Sequence, residues 1–168
     1  MLYSLLEKNI QEAAEMSIDL EMHRKVRNKN NTFALVNGME VIEIALGYAV
    51  AKVDITNDHT NPLGSVHGGC ILTLADVAGS FACGSHGYWA TTLDCTIHYL
   101  RAAVRPKTLY ATAKEIKAGR KVLVYSVSVT DQDGKELALA TISYMSLGEE
   151  IPDYTDENAS MKLNKYDK

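Results

Sequence analysis

Cys70-Ile-Leu-Thr-Leu-Ala-Asp-Val-Ala-Gly-Ser-Phe-Ala-Cys83 is the stretch on which the reading of this chain turns. Its apolar residues fall on nearly every side of a helix, the pattern of a helix enclosed by other structure. Ala75, Ala78, Gly79 and Ala82 are mediocre strand formers and let another backbone approach closely. The segment from Gly68 to about Ser85 is therefore expected to be helical. Asp76 is the only Asp, Glu, Lys or Arg between Asp58 and Asp94. A carboxylate left in apolar surroundings costs on the order of several kcal/mol unless paired or neutralised. A chain that keeps one there is expected to be using it.

Outward from this helix the pattern changes to alternation. Upstream, Met39–Ala45 and Tyr48–Ile55 are rich in β-formers, with Gly47 near the bend. Downstream, Thr91–Leu100, Thr108–Lys117, Val122–Thr130 and Glu136–Leu147 read as four strands. Gly119-Arg-Lys121 makes one turn and Asp133-Gly134 another. Ser4 to about Val26 is expected to be a helix opened by a capping box at Ser4-Leu-Leu-Glu7, with Leu6, Ile10, Ala13 or Ala14, and Ile18 as its buried stripe. The basic run His23–Asn31 is expected to end it.

A helix, two strands, an enclosed helix and four strands make an α+β chain whose antiparallel sheet of about six strands curls around the central helix. That arrangement is the hotdog fold. The expected divisions are an N-terminal helical extension over 1–31, the sheet-and-helix domain over 32–148, and a polar, mobile tail over 149–168.

The 168 residues suit one domain with a single core. A net charge of −4 supplies no broad positive field, which argues against general nucleic-acid binding. No basic leader precedes a long apolar run, and the apolar stretches fall short of a membrane span. Cys70, Cys83 and Cys95 lack the spacing of a metal or redox pair. A cytoplasmic protein with free, buried thiols is expected.

Asn61-x-x-Gly64-x-x-His67-Gly68-Gly69, followed by Leu74-Ala75-Asp76, resembles the signature of the PaaI-like acyl-CoA thioesterases. Thr92-Leu-Asp94-Cys-Thr-Ile97-x-Tyr99-Leu-Arg101 resembles that family's next strand. Gly119-Arg120, and Gly134 with Ala138–Ala140, fall in register with it. The resemblance spans Asn37 to Leu147. It departs at Ala102, where the family often has proline.

The resemblance implies hydrolysis of an acyl-CoA, aromatic or medium-chain, to a free acid and coenzyme A. No cofactor is implied, since coenzyme A is part of the substrate. Asp76 would attack the thioester carbonyl or activate a water. The N–H groups of Gly68 and Gly69 at the helix N-terminus would stabilise the oxyanion. Asn61 would orient the water or carbonyl, Thr92 would help hold the water, and His67 completes the motif. Gly69 and Asp76 lie seven residues apart, about 10 Å along one helix, so both can hardly reach one carbon within a chain. Two copies packing these helices antiparallel would bring Asp76 of one to Gly68 of the other. A homodimer, or a dimer of dimers forming a homotetramer, is the implied assembly. The coenzyme A phosphates would meet Arg120, Lys121 and Arg101, with Arg105 and Lys107 as further candidates.

Each residue also has a structural explanation. Asp76 can be tied to Thr73, Ser80 or a partner N–H; His67 can fix the loop; Gly68, Gly69 and Asn61 can serve a turn; the cations can protect sheet edges. Two other functions fit the scaffold: a non-catalytic acyl-CoA sensor, which needs no acid at position 76, and an enoyl-thioester hydratase or dehydratase, which pairs an acid with a histidine.

Overall fold

The computed structural model describes residues 18–154. The chain runs α1 (Leu20–Asn30), α2 (Thr32–Val36), β1 (Met39–Ala45), β2 (Tyr48–Asp54), α3 (Gly68–Gly84), β3 (Tyr88–Tyr99), β4 (Thr108–Ala118), β5 (Val122–Asp131) and β6 (Glu136–Glu150). The six strands form one antiparallel sheet in the order β1-β2-β4-β5-β6-β3. It wraps around α3, which touches all six strands. This is the hotdog fold read from the sequence.

Alternation along β2, β4, β5 and β6 supplies the core. Val53, Leu109, Ala111, Val127, Val129, Ile142 and Tyr144 point at α3, where Leu74, Ala75, Ala78, Phe81 and Ala82 are buried. The small residues of α3 let the sheet close in: a Cβ on Gly79 would lie 2.3 Å from the Tyr144 hydroxyl oxygen.

The N-terminal helix differs from its expectation. Over the described residues it starts after Asp19, whose side chain caps Met22 N, and runs through the basic segment to Asn30. His23 and Val26 are buried, while Arg24 and Lys29 lie on more open faces, so one amphipathic turn follows another where charge alone predicted a stop. The expected capping box at Ser4–Glu7 and most of the expected stripe lie outside the described residues. Asn28 accepts from Val41 N and donates to Val41 O, which covers the β1 edge of the sheet.

At the other end, β6 continues past Leu147 to Glu150, and Ile151 and Tyr154 pack with Val26. The opposite edge of the sheet is β3. Its outer side carries no strand partner among the described residues, and Leu93 and Tyr99 stand half-exposed there. Among the described residues no helix is long and apolar enough to cross a membrane.

Candidate active site

The loop before α3 is built by its own polar groups. Asn61 Oδ1 accepts from Leu63 N at 2.9 Å and Ser65 N at 3.3 Å, while Asn61 Nδ2 donates to Ser65 Oγ at 2.9 Å. Gly64, at φ 77, closes this turn with an N–H bond to Asn61 O. Most of the Asn61 amide therefore serves the turn, and one amide N–H remains.

His67 is the N-cap of α3. Its Nδ1 accepts from Gly69 N at 2.9 Å, which puts the proton of the neutral ring on Nε2. The expected pair of oxyanion donors is thereby narrowed. Gly69 N–H is engaged by the imidazole, and Gly68 N–H has no acceptor among the described residues. Gly68 O accepts from the Tyr99 hydroxyl at 2.9 Å. An open cleft of about 340 Å³ lies here, lined by Gly68, Tyr99, Leu100 and Arg101 among others.

Two turns further along α3, Asp76 is half-buried in the protomer rather than enclosed. Thr92 Oγ1 donates to its Oδ1 at 2.9 Å, as the expected placement of Thr92 beside Asp76 required. The Tyr144 hydroxyl reaches the same oxygen at 3.0 Å and Asp76 O at 3.1 Å. Oδ2 carries no hydrogen bond among the described residues. Burial, and then the neighbouring Asp76 charge, push the Tyr144 phenol far above its ordinary range, so it stays a neutral donor. Sequence reading missed Tyr144, because a tyrosine on the inward face of an alternating strand looks like core. The available signal was its cross-strand pairing with Thr92.

The register extends the site along the sheet. Thr92 pairs with Tyr144, and Tyr144 also pairs with Leu123; two rungs on, on the same face, Ala90 pairs with Ser146. Leu123, Ala90 and Ser146 line a cavity of about 500 Å³ that also takes in Cys83, Tyr88 and Arg120. The cavity thus starts at Leu123, the cross-strand neighbour of Tyr144, and reaches Gly119 and Arg120 at the β4–β5 turn. Arg120 is exposed at that turn and makes no hydrogen bond or ion pair among the described residues. Arg101 lies at the opposite end of α3 and donates to Glu136 O. The three expected cations are therefore split in the protomer, with Arg120 and Lys121 toward the C-terminal end of α3 and Arg101 at its start. His86 and Glu115 pair at 2.6 Å beside the cavity. Burial raises the thiols of Cys70 and Cys95 and pushes Cys83 up to about 11, so none is an activated nucleophile.

Residues 63–138 match the model of the thioesterase superfamily. The chain is 35% identical over 111 residues to the acyl-coenzyme A thioesterase PaaI of Escherichia coli, covering 66% of this chain and 79% of that protein. The solved structure of E. coli PaaI, from the phenylacetic acid degradation operon, superposes with a TM-score of 0.72 at 31% identity, covering 81% of this chain and all of that one. A putative esterase of Archaeoglobus fulgidus is 31% identical over 139 residues, covering 83% of this chain and 90% of its own length. A hypothetical thioesterase of Streptococcus pneumoniae, solved with coenzyme A, gives a TM-score of 0.64 at 27% identity, covering 67% of this chain and 91% of that one. The same protein has been solved with an aspartate changed to alanine and with a threonine changed to alanine, the two positions 16 residues apart.

Proposed function

This chain belongs to the PaaI-like thioesterases of the hotdog superfamily, and from that premise we propose that it hydrolyses an acyl-CoA with Asp76 as the reacting carboxylate. The observation that carries this reading is the bonding of Asp76. Two hydroxyls hold Oδ1 and leave Oδ2 unbonded among the described residues, on the helix that the sheet encloses. The separation of Asp76 from Thr92, |i−j| = 16, equals that of the aspartate and threonine altered in the streptococcal relative.

Asp76 Oδ2 takes a proton from a water as its oxygen adds to the thioester carbon. Alternatively, Oδ2 adds to that carbon itself, and water then hydrolyses the resulting anhydride. In either route the C–S bond breaks and coenzyme A leaves as the thiolate, with the acyl group released as a carboxylic acid. The carbonyl oxygen gathers charge as the nucleophile adds. Gly68 N–H is the donor for it, strengthened by the positive end of the α3 dipole. The remaining amide N–H of Asn61 is available to the same oxygen. His67 acts as the helix cap, its Nδ1 taken up by Gly69 N–H, and within the protomer no acid is hydrogen-bonded to it among the described residues.

Asp76 stands about 12 Å along α3 from Gly68, too far for one chain to supply both groups to one carbonyl. The site is therefore assigned to a homodimer, in which Asp76 of one protomer meets the partner's Gly68. Edge strand β3, twelve residues long and half-exposed, supports such an assembly, because an open edge is a template for pairing with a second copy. Antiparallel α3 helices would also bring Arg120 of one protomer to the same end as the partner's Arg101, collecting the split cations around the coenzyme A phosphates. The cavity that runs from Leu123, the cross-strand neighbour of Tyr144, to Arg120 is then the path along which the thioester's coenzyme A arm enters.

The direct test is release of free thiol from a panel of acetyl-, octanoyl-, palmitoyl-, benzoyl- and phenylacetyl-CoA. The reading expects turnover of at least one, abolished in folded Asp76→Ala. Turnover that survives Asp76→Ala contradicts the role of Asp76, and thioesters bound but left intact support a sensor instead.

A further inference from the structure

We propose that Tyr144 is a positioning residue for Asp76, aiming Oδ2 at the substrate, and that Gly79 is kept without a side chain so that the phenol can reach its place. The proposal rests on the reading of Asp76 as the reacting carboxylate. It adds a residue from β6, outside the stretch of sequence that carries the motif, and a glycine whose purpose the motif does not explain.

Three observations converge. First, Tyr144 is buried and fixed on its flank by Tyr125, whose ring stands edge-on at 5.8 Å and 71°. The Tyr125 hydroxyl donates in turn to Ala82 O on α3 at 3.4 Å, so the pair is anchored to the helix that carries Asp76. Second, the register sets Thr92 and Tyr144 side by side on the face toward α3, and both hydroxyls point at Oδ1. Hydroxyl donors from two strands fix the rotation of the carboxylate, which a single bond would leave free to swing. Third, the phenol sits where any other residue at position 79 would put a Cβ, at 2.3 Å from the hydroxyl oxygen and 3.1 Å from Cζ. Glycine inside a helix is destabilising relative to alanine, so its presence here calls for a cause, and the approach of the phenol supplies one.

The hydroxyl also acts on charge. A donor to an ionised carboxylate favours the ionised form, and removing it favours protonation. Burial keeps the phenol neutral, so it gives its hydrogen bond without releasing its proton.

The test compares Tyr144→Phe, Gly79→Ala and Asp76→Asn with the parent enzyme on octanoyl-CoA and phenylacetyl-CoA, with folding checked by thermal unfolding. Tyr144→Phe keeps the ring and loses one hydroxyl. It is expected to lower kcat about ten- to a hundredfold with KM little changed, and to move the acid limb of the kcat/KM profile to higher pH. Gly79→Ala is expected to lower kcat in the parent and much less in the Tyr144→Phe background, because the two act on one contact. Carbon-13 NMR of the aspartate carboxyls, with the Asp76 signal assigned by its loss in Asp76→Asn, gives a readout independent of turnover. That signal is expected to move in Tyr144→Phe while the other carboxyl signals stay in place. An unmoved signal, or an unchanged kcat and acid limb in folded Tyr144→Phe, overturns the role of Tyr144. Activity retained in Asp76→Asn instead overturns the underlying assignment of the carboxylate.

Discussion

Thr92 and Asp76 meet across the gap between edge strand and central helix, with Thr92 Oγ1 donating to Asp76 Oδ1 at 2.9 Å. The strand is irregular just beyond this contact, because the β3–β6 register shifts between Thr92 and Asp94. Such a bulge re-aims side chains on either side of it. Thr92→Val keeps the shape and removes the donor. It is expected to lower kcat about tenfold or more, with little effect on KM or on the melting temperature. Steady-state kinetics with the best acyl-CoA substrate check this.

His67 is expected to matter for stability more than for chemistry. Its Nδ1 caps α3 through Gly69 N, and losing an N-cap side chain costs about 1 kcal/mol. Urea unfolding of His67→Ala should show that loss, while turnover falls modestly because Asp76 and Gly68 remain. Abolished turnover in a variant of unchanged stability would instead make His67 a reacting group.

Arg120 is expected to bind rather than to react. It is exposed, has no hydrogen bond or ion pair among the described residues, and lines the cavity that reaches Leu123, the cross-strand neighbour of Tyr144. Arg120→Ala should raise KM for an acyl-CoA about three- to tenfold at low salt with kcat unchanged, and the difference should shrink as salt screens the charge. The matching N-acetylcysteamine thioester, which lacks the phosphates, should be hydrolysed equally well by both proteins.

Acid sensitivity should trace to His23. Burial first, and then the Arg27 charge, hold this imidazole down to about 3 from 6.5. Neither ring nitrogen has a hydrogen-bond partner among the described residues, and the ring packs against Phe81, Trp89 and Tyr154. Above pH 6.5 the imidazole is neutral in both folded and unfolded chains, and its contribution is fully present. As pH falls from 6.5 toward about 3, the unfolded chain binds a proton that the folded chain refuses. Stability then drops by a few kcal/mol over that window. Urea unfolding at steps from pH 7 to pH 4 should show this decline in the parent and a flatter one in His23→Leu.

The strands and α3 were legible because alternation and an all-round apolar helix leave few other ways to bury these residues. The expected strand β4 and the hairpin turns at Gly119–Lys121 and Asp133–Gly134 differ from the observed elements by at most a residue or so. Helix α1 ends about four residues beyond its expected end near Val26, because His23 and Arg27 look like surface residues in the sequence. The Arg27 guanidinium instead lies 4.1 Å from the Phe81 ring centroid and donates to Ser80 O, contacts that only tertiary structure creates. At the site, Asp76 and Thr92 could be paired from the motif. The engagement of Gly69 N–H by His67, and of Asn61 by its own turn, depends on loop geometry to which residue spacing is blind.

The account depends most on a site shared between two protomers, and subunit complementation tests that directly. Gly68→Pro deletes the proposed oxyanion N–H at the first helical position, where proline is tolerated, and His67 at φ −62, ψ 135 already has the conformation that a following proline requires. Gly68→Pro and Asp76→Ala are each expected to be inactive as homodimers. Unfolding them together and refolding at equal amounts gives heterodimers in which one site has both groups intact. The shared site predicts recovery of about a quarter of parent activity, since half of the dimers are mixed and each carries one good site of two. A refolded mixture that stays as inactive as its parts, with heterodimers shown to be present, would contradict it.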